Sequence, residues 1–220
     1  MAETVRTIIL PTLVLVSAVL ATWSEARGRK PVHYVTKPLT TVLIIAVAAL
    51  AAASATTGSP VPVTYKMLVL AGLVFSLFGD AALMFPDKLF VAGLVAFLAA
   101  QVLYIFAFKP AAGYPVSVMT FLPFIFYGLL MFFILAPGLG PMKLPVLVYI
   151  GAITTMAGFA ANRYVRLGGT RPLLAFIGAV LFLVSDSVLA YDRFGKKLGL
   201  ARILVLGTYF PAQLLIALSV

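Results

Sequence analysis

The chain has 220 residues, 63% hydrophobic and only 10% charged, with 16 lysines and arginines against 6 acids, one histidine and no cysteine. A soluble domain carries about 25% charged residues, so this chain lacks the polar surface of a water-soluble globule, and its mean hydropathy of +1.15 is that of an integral membrane protein. Without cysteine there is no thiol nucleophile, disulfide or thiolate metal site, and His33 alone cannot build a histidine cluster; no metal and no cofactor is expected.

Apolar runs of about 20 residues, the length that crosses a bilayer core, recur along the whole sequence. They predict an all-α, polytopic membrane protein of about eight transmembrane helices in a single domain, residues 1–220. In chain order the predicted helices are 5–23, 38–56, 66–85, 88–108, 115–136, 143–161, 172–191 and 199–219. The first has its basic flank, Arg27, Arg29 and Lys30, after it and no small-residue cleavage site, so it reads as a helix and not a removed signal. His33 falls in the polar stretch that follows. Gly58, Pro60 and Pro62 end the second helix, Pro86 and Asp87 separate the third from the fourth, and Pro110, Gly113 and Pro115 precede the fifth. Pro137, Gly138, Gly140 and Pro141 make the next turn, and Gly168 and Gly169 the one after. A membrane barrel needs strands of alternating polarity; these runs are continuously apolar.

Lysine and arginine distribute 10 to the odd-numbered loops and 6 to the termini and even-numbered loops. The positive-inside rule then places the odd loops in the cytoplasm and both termini outside. The basic excess is a topology signal scattered over loops, and no nucleic-acid partner is expected. Shifting the sequence by 106 residues pairs Lys37 with Lys143, Gly72 with Gly178, Asp80 with Asp186 and Gly93 with Gly199. A shift of four helices preserves direction across the membrane, so the pairing predicts parallel pseudo-repeats, 1–108 and 109–220, with the site between them.

Of the six acids, Glu3, Glu25, Asp87 and Asp192 fall in termini or loops. Asp80 and Asp186 each lie about one turn inside an apolar helix, where an acid costs about 2.5 to 3.5 kcal/mol to insert. Short aspartate side chains reach the interface poorly, so these two are the candidate catalytic residues. Both lie near the odd-loop ends of their helices, and the site is predicted to open toward the cytoplasm. Lys37 and Lys143, which open helices two and six, lie at the same face. Lys37 either binds a phosphate, holds an aspartate ionised or serves as a topology charge; Lys143 reads as structural. Gln101, with Tyr104 nearly a turn later, and Gln213, with Tyr209 a turn before it, either bond helix to helix or touch substrate. Ser76 and Ser185 are small packing residues, backbone-bonded hydroxyls or, for Ser185, a substrate contact. The aromatic residues Phe75, Phe78, Phe97 and Phe182 read as packing or lipid-facing groups.

GLVFSLFGDAALMF at 72–85, GLVAFLAAQVLYIFAF at 93–108, GAVLFLVSDSVLAYDRF at 178–194, TYFPAQLLI at 208–216 and KPLT at 37–40 together resemble the YhhN, or lysoplasmalogenase-like, membrane protein family. The resemblance covers most of the chain from Lys37 onward. Where the family pattern usually has a histidine in the fourth helix, this sequence has Gln101. The resemblance implies an eight-helix fold that hydrolyses the vinyl-ether bond of lysoplasmalogens to a fatty aldehyde and glycerophospho-ethanolamine or glycerophospho-choline. It implies a lysophospholipid substrate drawn from membrane lipids, carries the acidic pair onto Asp80 and Asp186, and carries the Lys-Pro motif onto Lys37 and Pro38.

The residue inventory suits that chemistry on its own terms. Protonating the β-carbon of a vinyl ether gives an oxocarbenium ion, water captures it, and the hemiacetal collapses to aldehyde and alcohol. This requires a protonated carboxyl, a form that burial favours, and a second carboxylate that steadies the cation and orients water. Lys37, Gln101, Tyr104, Ser185, Tyr209 and Gln213 are the candidate substrate-binding residues. The competing expectation is a proton-coupled transporter or lipid-handling protein without hydrolase activity, in which paired intramembrane acids relay protons.

Overall fold

The computed structural model describes residue 4 and residues 8–51, 61–110 and 115–220. Glu3, Arg6, Gly58, Pro60, Gly113 and the tail of the predicted second helix lie outside the described residues. Within them, eight α-helices follow one another: α1 (Leu10–Ala26), α2 (Lys30–Leu50), α3 (Val63–Leu83), α4 (Pro86–Phe108), α5 (Leu122–Leu135), α6 (Lys143–Leu167), α7 (Thr170–Phe194) and α8 (Ala201–Leu218). Short 3-10 turns at Val118–Thr120, Ala136–Gly138 and Gly140–Met142 flank α5.

Hydrocarbon offers the backbone no hydrogen-bond partner, so continuously apolar runs close their bonds internally as helices. Seven stretches are long and apolar enough to cross a bilayer: α2, α3, α4, α7, α8, the segment Val118–Gly138 that contains α5 and the segment Gly140–Leu167 that contains α6. The 17-residue α1 is shorter. The chain is a multi-pass membrane protein.

Six helices pack in a closed circuit: α2 on α3, α3 on α4, α4 on α6, α6 on α7, α7 on α8, and α8 back on α2. Outside the circuit, α1 lies against α2 and α8, and α5 lies against α6 and α7. Glycines allow the closest approaches, because dispersion packing and not water release holds membrane helices together. A Cβ on Gly178 would stand 2.8 Å from the backbone carbonyl of Ala212, so α7 and α8 meet backbone to backbone there. A Cβ on Gly72 would run into the ring of Tyr104, and one on Gly79 would stand 2.6 Å from the ring of Phe97.

Several boundaries differ from the expectation. The helix predicted at 38–56 begins at Lys30, so Lys37 does not open it but lies two turns inside, and His33 is a buried helical residue and not part of a polar connection. Hydropathy averaging reads Lys30 to Lys37 as a loop because it cannot distinguish a polar face turned into the bundle from one turned to water. Pro38 in α2 and Pro211 in α8 sit within the helices at the cost of one backbone bond each. The fifth helix starts at Leu122, the sixth runs on to Leu167, and the seventh extends to Phe194. As a result Asp186 lies eight residues, about 12 Å of helix, from the end of α7 and not one turn from it, and Asp192 is helical. Asp87 is in the first turn of α4 and Glu25 is near the end of α1. Glu25 is not simply solvated: it bridges His33 at 3.5 Å and Arg202 at 3.0 Å.

Candidate functional site

Asp80 lies one turn from the end of α3 and is 1% exposed. Its Oδ2 accepts hydrogen bonds from the Thr41 hydroxyl at 2.6 Å and the Tyr209 hydroxyl at 2.8 Å. Its Oδ1 faces the Lys37 ammonium at 3.5 Å. Lys37 and Thr41 are four residues apart on α2 and therefore share one helix face. Two helices thus converge on this acid: α2 brings a cation and a hydroxyl, and α8 brings a phenol.

Asp186, half-buried on α7, is built from different helices. The Tyr149 hydroxyl of α6 donates a short hydrogen bond to its Oδ2, and the Gln101 amide of α4 donates to the same oxygen at 3.3 Å. Among the described residues no donor reaches Oδ1, and no lysine or arginine pairs with this carboxyl. Asp186 and Tyr149 both line a narrow cavity of about 50 Å³. Its walls are otherwise almost wholly apolar, with Leu94 and Phe97 of α4, Met131 and Leu135 of α5, Ile150 and Ile153 of α6, and Leu183 of α7.

A second, larger cavity of about 560 Å³ opens at the odd-loop end of the bundle. Six basic side chains, Lys30, Lys37, Lys88, Arg193, Lys197 and Arg202, line it beside three acids, Glu25, Asp87 and Asp192. The two cavities share Leu83, Phe90 and Leu189 as walls. Phe90 stands at this junction, edge-on to Phe194 with ring centroids 5.8 Å apart and with the Arg193 guanidinium 4.8 Å over its ring. A basic vestibule therefore adjoins an apolar cavity that carries one carboxyl.

The remaining sequence-selected residues hold helices together. Tyr104 donates to Gln213 at 2.8 Å, and the Gln213 amide donates to Ser76 at 3.0 Å, so α3, α4 and α8 are joined by a fully buried chain. The Ser185 hydroxyl donates to the Val205 carbonyl of α8 at 3.1 Å. Tyr104, Ser185, Tyr209, Gln213 and Gln101 line neither cavity; of the candidate binding residues, Lys37 alone does. Lys143 is exposed at the start of α6. The residues that sequence reasoning missed are Thr41 and Tyr149. Thr41 carries a usable signal, its spacing of four from Lys37, whereas a tyrosine amid apolar residues marks nothing by itself.

The profile of the YhhN family matches residues 32–220. The human protein named lysoplasmalogenase TMEM86B is 38% identical over 165 residues, covering 70% of this chain and 64% of that protein. Bovine lysoplasmalogenase TMEM86A is 37% identical over 157 residues, covering 69% and 64%. The uncharacterized membrane protein YhhN of Escherichia coli O157:H7 is 28% identical over 208 residues, covering 94% and 95%. The matched region thus spans 64% of the length of these two mammalian relatives. No solved structure shows a significant match.

Proposed function

The chain belongs to the YhhN family, and from that membership we propose that it is a lysoplasmalogenase-like hydrolase that cleaves the vinyl-ether bond of lysoplasmalogens. The observation that carries this reading is the position of Asp186, on the wall of an apolar cavity that shares residues with a basic vestibule. A lysoplasmalogen has the matching layout: a phosphate-bearing head, a short glycerol spacer and an apolar alkenyl chain whose reactive double bond sits next to the spacer. The head lies among Lys37, Lys88 and Arg193, with the double bond at Asp186. The vestibule faces the cytoplasm in this reading, because the odd loops hold the larger share of lysine and arginine.

Asp186 is the general acid. In its carboxylic acid form it transfers a proton to the β-carbon of the vinyl ether, and the alkene electron pair forms the new C–H bond. The resulting oxocarbenium ion takes up water, whose proton returns to the Asp186 carboxylate. The hemiacetal then breaks its C–O bond to give fatty aldehyde and glycerophospho-alcohol. Asp80, paired with Lys37 and lining neither cavity, is the second carboxylate of the proposal. Neutralised by Lys37, it anchors α2, α3 and α8 beside the site and takes no part in the proton transfer; the ring of its partner Tyr209 stands edge-on to the cavity-lining Phe97 with centroids 5.7 Å apart.

The test is a product assay on purified protein in detergent, with lysophospholipids that differ only in linkage: vinyl ether, ester and alkyl ether. Aldehyde from the vinyl ether alone is the expected result. Fatty acid from the ester with no aldehyde would reject the reaction, and movement of intact lipid driven by a proton gradient in sealed vesicles, again without aldehyde, would favour a transporter.

A further inference from the structure

Tyr149 is marked by no sequence pattern, yet its hydroxyl donates a hydrogen bond to the proposed acid. It is 8% exposed, lines the apolar cavity beside Asp186 and sits about two turns in from the start of α6. Its hydrogen bond and that of Gln101 both end on Oδ2 of Asp186. One carboxyl oxygen therefore receives two donors while the other, Oδ1, receives none among the described residues.

We infer that Tyr149 is a positioning residue for the reaction, fixing the transferable proton of Asp186 on Oδ1 and holding the negative charge left on the carboxyl once that proton has gone to carbon. The inference rests on the hydrolase reading above. The asymmetry of the donors supports it: a proton on Oδ2 would compete with the Tyr149 and Gln101 hydrogens for that oxygen, whereas Oδ1 has room for it. The energetics point the same way. When the Asp186 O–H bond breaks and the C–H bond forms, the bond from Tyr149 changes from one to a neutral acid into one to a carboxylate, and hydrogen bonds to charged acceptors are roughly twice as strong. A contact that strengthens as the transition state forms lowers the barrier without tightening substrate binding. The Tyr149 O–H bond stays intact throughout, so no further proton acceptor is needed. Gln101 shares the task from α4 with a longer bond, and its own Oε1 is buried without a hydrogen-bond partner among the described residues.

The experiment compares wild type with Tyr149→Phe, which keeps the ring and removes the donor. Two readouts are taken: steady-state aldehyde release from a vinyl-ether lysophosphoethanolamine, and equilibrium binding of its 1-O-hexadecyl analogue, which has no double bond to cleave. The expected result is a drop in kcat of about tenfold to a hundredfold, with KM and analogue binding within about twofold of wild type. An unchanged kcat would overturn the inference, and so would a loss of analogue binding as large as the loss of turnover, since that is the mark of a packing role. If wild type itself released no aldehyde, the hydrolase reading would fall; if wild type were active and Tyr149→Phe equally so, only the role of Tyr149 would.

Discussion

Asp80 and Asp186 occupy near-identical settings that differ in one atom's surroundings. Each sits on the third helix of its half of the chain, and each receives two neutral donors on Oδ2, one from the second helix of its own half and one from the last helix of the other half. At Oδ1 they part: Asp80 meets the ammonium of Lys37, and Asp186 meets no donor among the described residues and borders the apolar cavity. The difference traces to where two helices begin. α2 starts seven residues before Lys37 and carries that lysine into the bundle, whereas α6 starts at Lys143, which remains exposed and makes no ion pair with Asp186. We propose that the two halves form a parallel pseudo-repeat in which one acid is neutralised as a structural anchor and the other is kept for chemistry.

The comparison is broken most severely by removing the anchor's charge alone. Asp80→Ala leaves Lys37 buried without its counter-charge, and loss of one member of a buried ion pair costs about 3 to 5 kcal/mol. Unfolding in detergent should show that loss, and the double variant Lys37→Met/Asp80→Asn should recover most of it, because well-packed neutral groups replace a buried pair with little penalty. A double variant as unstable as the single would show that the ion pair is not what matters at Asp80.

A smaller effect is expected one helical level deeper. Gly72→Ala places a methyl group into the Tyr104 ring and strains the Tyr104–Gln213–Ser76 chain, and overpacking of this kind costs about 1 to 3 kcal/mol. Thermal unfolding should register the change, while kcat per folded molecule stays near wild type because that chain lines neither cavity. The smallest effect belongs to the vestibule. Arg193→Ala should raise KM for a lysophospholipid about two- to fivefold with kcat unaltered, in keeping with the modest worth of an exposed charge; a fall in kcat instead would place Arg193 in the chemistry.

Hydropathy made the eight helices and their order legible, because each is a continuous apolar run bounded by proline or glycine. It failed at α2, where His33 and Lys37 turn a polar face inward. The two intramembrane acids stood out by scarcity, as did Lys37. Their neutral partners did not: Thr41 and Tyr149 are unremarked residue types in a span, and a shift of 106 residues pairs them with leucines, Leu147 and Leu43. The donors on the two acids are alike in the helices that supply them and unlike in position, so no alignment of the halves would have found them. Sequence also could not tell Asp80 from Asp186, because what separates them is a cavity and a cation brought up by the starting point of α2.

Aldehyde release from a vinyl-ether lysophospholipid by purified Asp186→Asn, beside wild type and with analogue binding as the check on folding, bears most directly on the division between the two acids. The account predicts that turnover falls about a hundredfold to ten-thousandfold, the usual contribution of a general acid, while binding persists. Wild-type turnover by Asp186→Asn would contradict it.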